Sequence, residues 1–337
     1  MKSPLTGKDM ILKSEKRVLE FRKENFEVQF NFYLCTDSSE QFTDTSLDEL
    51  NMNQLYNQYR AKHNLPFPEE IIAIRDMYDL PANKMSEILG FGVNSYRNYE
   101  NGEVPAHSNG KLIQLAADPM MFKQLLEKSE GIEDAVKQNI LKRIEALLDA
   151  KSKKKDQEQI ENYLLNKMLP DEFSGFKKPD LNRLREMVVF FSNKMKPWKT
   201  QMNKLLFYAD FICYKNTGYS MSGMRYRAIP LGPVPNNFNS LFEYLANQAY
   251  IQIEATDFHE SIGERLLSTP KYKFNSELFS DKELEILNTV YKKFKSISTK
   301  RIIEMSHKEK GWIENVKQRS LISYKYAFEL NQSDLLR

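Results

Sequence analysis

Residues 90–105, GFGVNSYRNYENGEVP, predict a short helix enclosed by two turns, and few structures accommodate such a segment. Gly90 precedes the predicted helix and Gly102 follows it, and both suit tight turns because glycine adopts left-handed backbone conformations without strain. Tyr96 and Tyr99 are spaced to share the buried side. The remaining side chains are mostly amides and a guanidinium, so the helix must pack on its neighbours and present a polar face outward.

Length and composition indicate a chain of two or three domains, because 337 residues exceed the usual size of one compact domain. No apolar run approaches the length needed to cross a bilayer, and the start does not read as a signal peptide, so we expect no membrane partner. The two cysteines, Cys35 and Cys213, cannot form a disulfide framework. These observations favour a protein of the reducing cytoplasm.

Charge is unevenly spread, although the net charge is only +3. Residues 66–119 contain four Lys or Arg and eight Asp or Glu, a net of −4, and residues 1–65 contain nine and ten, a net of −1. Residues 120–337 therefore carry +8. A cationic C-terminal region either attracts an acidic partner or serves only solubility, whereas an acidic middle segment is unusual for a nucleic-acid-binding protein.

The first 65 residues predict a β-hairpin followed by a helix. In ENFEVQFNFYL, residues 24–34, apolar and polar residues alternate with the period of a half-buried strand, and RVLEF at 17–21 is the expected partner. A helix over 46–63 starts from a Ser46-x-x-Glu49 capping box. Beyond it, residues 66–119 change to a pattern of four short helices.

The rest of the chain predicts a helical connector and an α+β module. The stretch 131–150 has the apolar stripe of an amphipathic helix, and the charged run 151–159 after it is typical of a helix end or linker. In the module that begins near residue 180, the predicted helices cover 181–195, 198–215 and 280–294, with Ser280 and Glu283 as a capping box, and the predicted strands cover 224–230, 251–255 and 270–275.

Residues 81–102 resemble the helix-turn-helix unit of the phage-repressor-like class. Met85 and Leu89 stand at its core positions, and Ser86 is the small residue where two steeply crossing helices come closest. Such a unit inserts its second helix into the major groove, where Asn pairs with adenine and Arg with guanine. The candidates are Asn94, Ser95, Arg97 and Asn98 for base edges, and Lys84 and Lys111 for phosphates. A homodimer would double these contacts on operator DNA. The simpler interpretation is a helical hairpin that only packs.

MKSPLTGK, FYLCTDSSE and GFGVNSYRNYENG together resemble MqsA-type antitoxins, in which a zinc finger precedes the helix-turn-helix. The resemblance places Ser3, Thr6, Cys35 and Ser38 at the four ligand positions. Hydroxyl groups do not replace thiolates around structural zinc, so we expect no metal and no other cofactor. The family's base-reading Asn and Arg, four residues apart, fall on Asn94 and Asn98, with the arginine displaced to Arg97.

WKTQMNKLLFYADFICYKNTGYSMSGMRYRAIPLGPVPNNFNSLFEYL, residues 198–245, resembles the Panacea domain of SocA-like antitoxins, and SHKEKGW at 306–312 is a further mark. The resemblance implies a domain over most of 180–337 that neutralises a cognate toxin, encoded nearby, by direct contact. A rigid Gly-Pro-Val-Pro loop loses little entropy on docking, although such loops are often plain architecture. The toxin-binding candidates are Tyr208, Tyr219, Pro233, Pro235, Asn236 and Trp312.

Catalysis is not expected. His63, His107, His259 and His307 have no metal-ligand spacing, and neither cysteine has a local histidine motif. The chain has no P-loop and no dinucleotide fingerprint. The sequence therefore predicts a binding protein with no catalytic residues.

The sequence as a whole predicts an α+β, multi-domain antitoxin. Its segments are a degenerate zinc-finger-like β module (1–65), a helix-turn-helix domain (66–119), a helical connector (120–179) and a Panacea domain (180–337). The alternatives are a stand-alone regulator or phage-response protein, and an adaptor that delivers a toxin to a protease.

Overall fold

A computed structural model describes residues 1–153, 155–165, 168–257 and 262–331. It is 53% helical and 16% strand, which confirms the predicted α+β class. The chain forms two compact units: one comprises Met1–Arg17, Glu27–Gln54 and Glu161–Arg337, and the other comprises Val18–Phe26 and Leu55–Ile160. The four segments predicted from the sequence stay a prediction. Residue 154, in the charged connector run, lies outside the described residues.

The N-terminal sheet has the order β1-β2-β3 and contains the predicted hairpin. Arg22 and Lys23 form its turn with positive φ angles of 50° and 67°, the conformation that matches the twist of two-residue hairpins. The strands are β1 (Ile11–Phe21), β2 (Glu24–Leu34) and β3 (Gln41–Phe42).

Helix α1 (Thr45–His63) follows the sheet, as predicted, but its cap is different. The Asp44 carboxylate accepts the backbone N–H of Leu47 at 2.9 Å, so Asp44 takes the role predicted for Ser46. An aspartate caps well because its charge also interacts favourably with the positive end of the helix.

Two side chains of α1 satisfy the backbone of β2 as a neighbouring strand would. The Asn51 amide accepts the N–H of Asn31 at 2.8 Å and donates to its carbonyl at 2.9 Å. Gln54 repeats this pattern at Gln29, with both distances 2.9 Å. The helix therefore covers part of a strand edge that β3 does not reach, which protects it from pairing with another chain.

The helical unit contains the predicted short helices and one that the sequence did not reveal, α6. The preceding helix ends before Pro119, as predicted, and Pro119 is the first residue of α6, which the Asp118 carboxylate caps by accepting the N–H of Met120 at 2.8 Å. The helices are α2 (Pro68–Met77), α3 (Ala82–Ile88), α4 (Ser95–Glu100), α5 (His107–Ala116), α6 (Pro119–Lys128) and α7 (Asp134–Lys153). Their shared core includes Ile71, Met85, Tyr96, Ile113, Phe122, Leu126, Ile140 and Ile144. The next helix, α8 (Lys155–Leu165), begins in this unit and ends in the other one.

The C-terminal part of the other unit is built around one buried helix, α10. Every residue from 201 to 214 is buried, which is typical of a helix surrounded by other elements. Gly218 ends α10 with a φ of 78°, and a Cβ there would lie 3.0 Å from the Cβ of Asn53. The helices are α9 (Leu181–Met195), α10 (Lys199–Thr217), α11 (Phe238–Asn247), α12 (Asp281–Phe294), α13 (Thr299–Ser306) and α14 (Lys310–Asn315).

Two small sheets complete this part. One has the order β5-β4-β8, and the other is the antiparallel pair β6-β7. The strands are β4 (Tyr226–Ile229), β5 (Gly232–Pro235), β6 (Ile251–Asp257), β7 (Ile262–Ser268) and β8 (Leu321–Ile322).

The predicted strand at 270–275 is wrong, because these residues belong to no strand; the strand that pairs with β6 is β7, with Ile253 opposite Leu266. Pro270 and Lys271 lie in a turn. The apolar alternation after this turn serves packing: the Phe274 ring lies 5.3 Å from that of Phe190.

No helix in the described ranges is long and apolar enough to cross a membrane.

Candidate functional site

The α3–α4 pair has the tight crossing that its sequence predicts. Gly90 turns the chain with a φ of 70°, and the N–H of Phe91 then donates to the Ser86 carbonyl at 2.8 Å. The Ser86 hydroxyl, fully buried, accepts the N–H of Tyr96 at 3.1 Å. A small side chain at position 86 therefore both permits the close approach and satisfies a donor in the first turn of α4.

Three contacts on its inner side fix the orientation of α4. The buried Tyr96 hydroxyl donates to the Ile71 carbonyl at 2.8 Å, and burial raises its pKa well above the usual range. Glu100 pairs with Arg75 at 2.5 Å. The Asn109 amide donates to the Tyr99 hydroxyl at 2.9 Å. The outer face of α4 is thereby left to solvent.

The DNA-contact candidates lie on or near this outer face. Asn94, Arg97 and Asn98 are exposed and make no side-chain hydrogen bond within the described ranges, and Ser95 is half-buried. Val93, immediately before them, is 75% exposed. Lys111 is exposed on α5, and Lys84 forms an ion pair with Glu87 at 2.7 Å.

The four residues predicted from the sequence resemblance to stand at zinc-ligand positions, Ser3, Thr6, Cys35 and Ser38, lie together around Cys35. The Thr6 hydroxyl lies 3.5 Å from the Cys35 sulfur, and hydrogen bonds from the hydroxyls of Ser3, Ser38 and Thr6 lower the pKa of this thiol to about 6. The backbone also folds tightly here, since the N–H of Ser39 donates to the Cys35 carbonyl at 2.8 Å. One thiol and three hydroxyls are a poor donor set for zinc.

Helix α10 carries a buried lysine that sequence reasoning did not single out. Lys204 is fully buried and donates to the Pro233 carbonyl at 3.1 Å. Burial lowers the pKa of Lys204 to about 7. No ion pair of Lys204 occurs within the part of the chain that the structure describes. A charged residue in the apolar stretch KLLFYADF was the available signal.

Asp210, on the same helix, organises the following loop. Its carboxylate accepts the N–H groups of Met221 and Ser222 at 2.8 and 2.7 Å. It also accepts the hydroxyls of Ser222 at 2.5 Å and Tyr226 at 2.7 Å. Four donors satisfy this fully buried carboxylate, so its role is to fix the loop before β4.

The connection between β4 and β5 is held by aromatic and basic side chains. The Trp312 indole donates to the Ile229 carbonyl at 2.8 Å, and the His307 ring stacks on it with centroids 4.0 Å apart. Burial, with a contribution from Lys204, lowers the pKa of His307, so the ring is neutral near pH 7.

The structure separates the toxin-contact candidates into two groups. Tyr208, Pro233 and Pro235 are buried: Tyr208 donates to Glu309 at 3.1 Å, and the two prolines lie in β5, which packs beside α10. They support the surface rather than form it. Tyr219, Asn236 and Trp312 are partly exposed.

The described residues contain no group of three or more His, Cys, Asp or Glu side chains that could hold a metal ion. His63 hydrogen-bonds Glu24 at 2.6 Å and its ring lies 5.1 Å from that of His107. His259 lies outside the described residues.

The fold and these contacts define an α+β domain in which helices and two small sheets surround α10. Residues 202–313 match the family model described as "Antitoxin SocA-like, Panacea domain", so a SocA-like Panacea domain occupies this stretch. The match covers about a third of the chain and supports an antitoxin role in general. Proteins of this family are not typically enzymes. No curated protein and no solved structure matches the chain.

Proposed function

We propose that this chain is the antitoxin of a type II toxin–antitoxin pair. In this proposal, the domain at 180–337 neutralises a cognate toxin by direct binding, and the helix-turn-helix domain at 66–119 represses the operon. The observation that carries the proposal is the match of residues 202–313 to the SocA-like Panacea antitoxin family. The β module at 1–65 and the connector at 120–179 complete the arrangement.

The exposed face of α4 supports the DNA-binding part. Asn94, Arg97 and Asn98 present amide and guanidinium groups that are not used within the described fold, and such groups read adenine and guanine edges. The net charge of the module stays at −4, but Glu100 and Glu87 are paired with Arg75 and Lys84, so these two carboxylates are not free charges facing DNA. A two-fold homodimer on half-sites one helical turn apart would strengthen binding that is weak and salt-sensitive per subunit.

Expression of the adjacent open reading frame tests the toxin-binding part. The proposal predicts growth arrest that co-expression of this chain relieves, with the two proteins co-purifying. A non-toxic neighbour would favour the stand-alone regulator. Loss of the toxin protein only in cells that contain an active protease would favour the adaptor.

A gel-shift titration with the chain's own promoter tests the DNA-binding part. Replacing Asn94 and Asn98 together with alanine should weaken binding at least about 30-fold, because each base-edge contact contributes about 1–3 kcal/mol and two are lost. Gln124→Ala, another exposed amide but on α6, should leave binding unchanged. Equal affinity of the double variant and the wild type would contradict the assignment of α4.

The N-terminal cluster is proposed as a finger that keeps its fold without metal. Hydrogen bonds from the hydroxyls of Ser3, Thr6 and Ser38 to the Cys35 thiol would replace the zinc–ligand bonds of an MqsA-type finger. Elemental analysis of the purified chain should find zinc well below one equivalent. Stoichiometric zinc would contradict this proposal.

A further inference from the structure

The tip of the β4–β5 hairpin, residues 229–232, is held from behind by three side chains of the domain. Trp312 donates to the Ile229 carbonyl at 2.8 Å, and the His307 ring stacks on the Trp312 ring with centroids 4.0 Å apart. Lys204 donates to the carbonyl of Pro233, the next residue of β5, at 3.1 Å. Side chains of α10 and α14, together with the residue that ends α13, therefore surround one two-residue turn.

The tip also cannot shift inward. Gly232 has a φ of 98°, and a Cβ at this position would lie 2.5 Å from both the Lys204 Cε and the Ser306 hydroxyl. Both side chains belong to fully buried residues, so neither has room to move away. The turn is consequently a rigid projection rather than a mobile loop.

This rigid projection carries an apolar side chain into solvent. Leu231 is 55% exposed, and Pro230 beside it is exposed as well. An exposed leucine is ordinary by itself, but here the backbone that bears it is fixed by buried groups. A preorganised apolar side chain loses little entropy when a partner covers it.

Exposed cations lie on β4 and on the segment that precedes its partner strand β8. Arg227, on the same face of β4 as Ile229, is exposed, and its guanidinium donates to the Arg319 carbonyl at 2.7 Å. Arg319 and Lys317 are also exposed, and none of these three cations forms an ion pair within the described residues. Unpaired cations around an apolar projection complement a pocket rimmed by carboxylates.

We infer that the hairpin tip is the surface on which this domain docks its toxin, with Leu231 entering an apolar pocket of an acidic partner and Arg227, Lys317 and Arg319 facing carboxylates at the rim. This inference rests on the proposed antitoxin function, because it takes the partner to be the toxin. The toxin would therefore contact the exposed tip of the hairpin and not Pro233 and Pro235, which are buried in β5.

Calorimetric titration of the purified full chain with the purified product of the adjacent toxic reading frame tests the apolar contact. Leu231→Asp should weaken binding at least about 30-fold, as expected for a central anchor, and Leu231→Ala should weaken it less. The matched control is Leu169→Asp, since Leu169 is 63% exposed and belongs to the same unit. Its affinity should stay within about threefold of the wild type. Leu231→Asp binding as tightly as the wild type would overturn the inference.

Association kinetics test the charged rim. The double variant Arg227→Glu, Arg319→Glu should associate at least about tenfold more slowly at low salt and show a weaker salt dependence, whereas Lys300→Glu, at an exposed lysine of α13, should not. Equal rates for the double variant and the control would overturn the rim assignment.

Two outcomes separate this inference from the proposed function. A wild-type chain that fails to bind the toxin contradicts both, whereas a wild type that binds alongside a Leu231→Asp variant that binds equally well contradicts only the docking surface. Light scattering of the wild type and of the Leu231→Asp variant should show the same molar mass in solution. A changed assembly state with unchanged toxin affinity would identify the tip as a contact between copies and overturn the inference.

Discussion

Replacing Lys204 with methionine should make the C-terminal domain more stable at neutral pH, although it removes a hydrogen bond. Lys204 is fully buried and its ammonium has one acceptor, the Pro233 carbonyl. Burial lowers its pKa from an ordinary 10.5 to about 7, because the low-dielectric interior disfavours the charged form. Methionine has a similar length and no charge, so it keeps the packing and removes the cost of desolvation.

The sign and size of the effect follow from proton linkage. Between pH 7 and 10.5 the unfolded chain binds a proton at Lys204 that the folded chain releases, so the wild type gains stability as the pH rises. At about 1.4 kcal/mol for each pKa unit, the shift costs the wild type roughly 4 kcal/mol at pH 7 and roughly 1 kcal/mol at pH 9.5. The lost hydrogen bond offsets about 1 kcal/mol. The variant should therefore be more stable by about 3 kcal/mol at pH 7 and nearly equal to the wild type at pH 9.5.

Urea unfolding followed by tryptophan fluorescence measures this difference. Both tryptophans, Trp198 and Trp312, belong to the unit that contains Lys204, so the signal reports that unit. The lowered pKa of His307 keeps this neighbour neutral across the chosen pH range. A difference in unfolding free energy that does not change between pH 7 and 9.5, or a variant less stable at pH 7, would refute the reasoning.

Three further predictions follow from buried or clustered polar groups. The absorbance at 240 nm should show the thiolate of Cys35 forming near pH 6, because neighbouring hydroxyls lower its pKa. Cys35→Ser should abolish this step, whereas Cys213→Ser should keep it, because burial raises the pKa of Cys213 to about 12. A step near pH 9 would contradict the hydroxyl cluster around Cys35. Ser86→Leu should lower the unfolding free energy of the helical unit by about 2–3 kcal/mol, measured by circular dichroism, because leucine overpacks the crossing and leaves the Tyr96 N–H unsatisfied; an unchanged urea midpoint would count against this crossing. Asp210→Ala should cost about 3 kcal/mol or more in the fluorescence experiment, because four donors lose their acceptor; a loss below about 1 kcal/mol would contradict that role.

Features encoded by neighbouring residues could be predicted from the sequence. The predicted helix at 181–195 has the bounds of α9, and the Ser280–Glu283 capping box forms as expected. The roles of Ser86 and Gly90 in the α3–α4 crossing were also predictable, because a close approach and a left-handed turn each demand a particular residue type.

Features that depend on distant residues could not be predicted in this way. A strand is wrongly predicted at 270–275 because the apolar residues alternate as in a strand, while Phe274 packs on Phe190. Pro233 and Pro235 looked like an exposed loop, since nothing local shows that α10 lies against them. The hydrogen bond from Lys204 to Pro233 spans 29 positions, and only the tertiary fold brings the two residues together.

The most direct test of the account is the affinity of the purified full chain for the purified toxin encoded beside it, measured by calorimetry at physiological salt. We predict saturable binding with a dissociation constant at or below the nanomolar range, accompanied by loss of the toxin's activity at the same molar ratio. Absence of heat change while the toxin stays fully active in the mixture would contradict the claim that this protein is an antitoxin acting by direct contact.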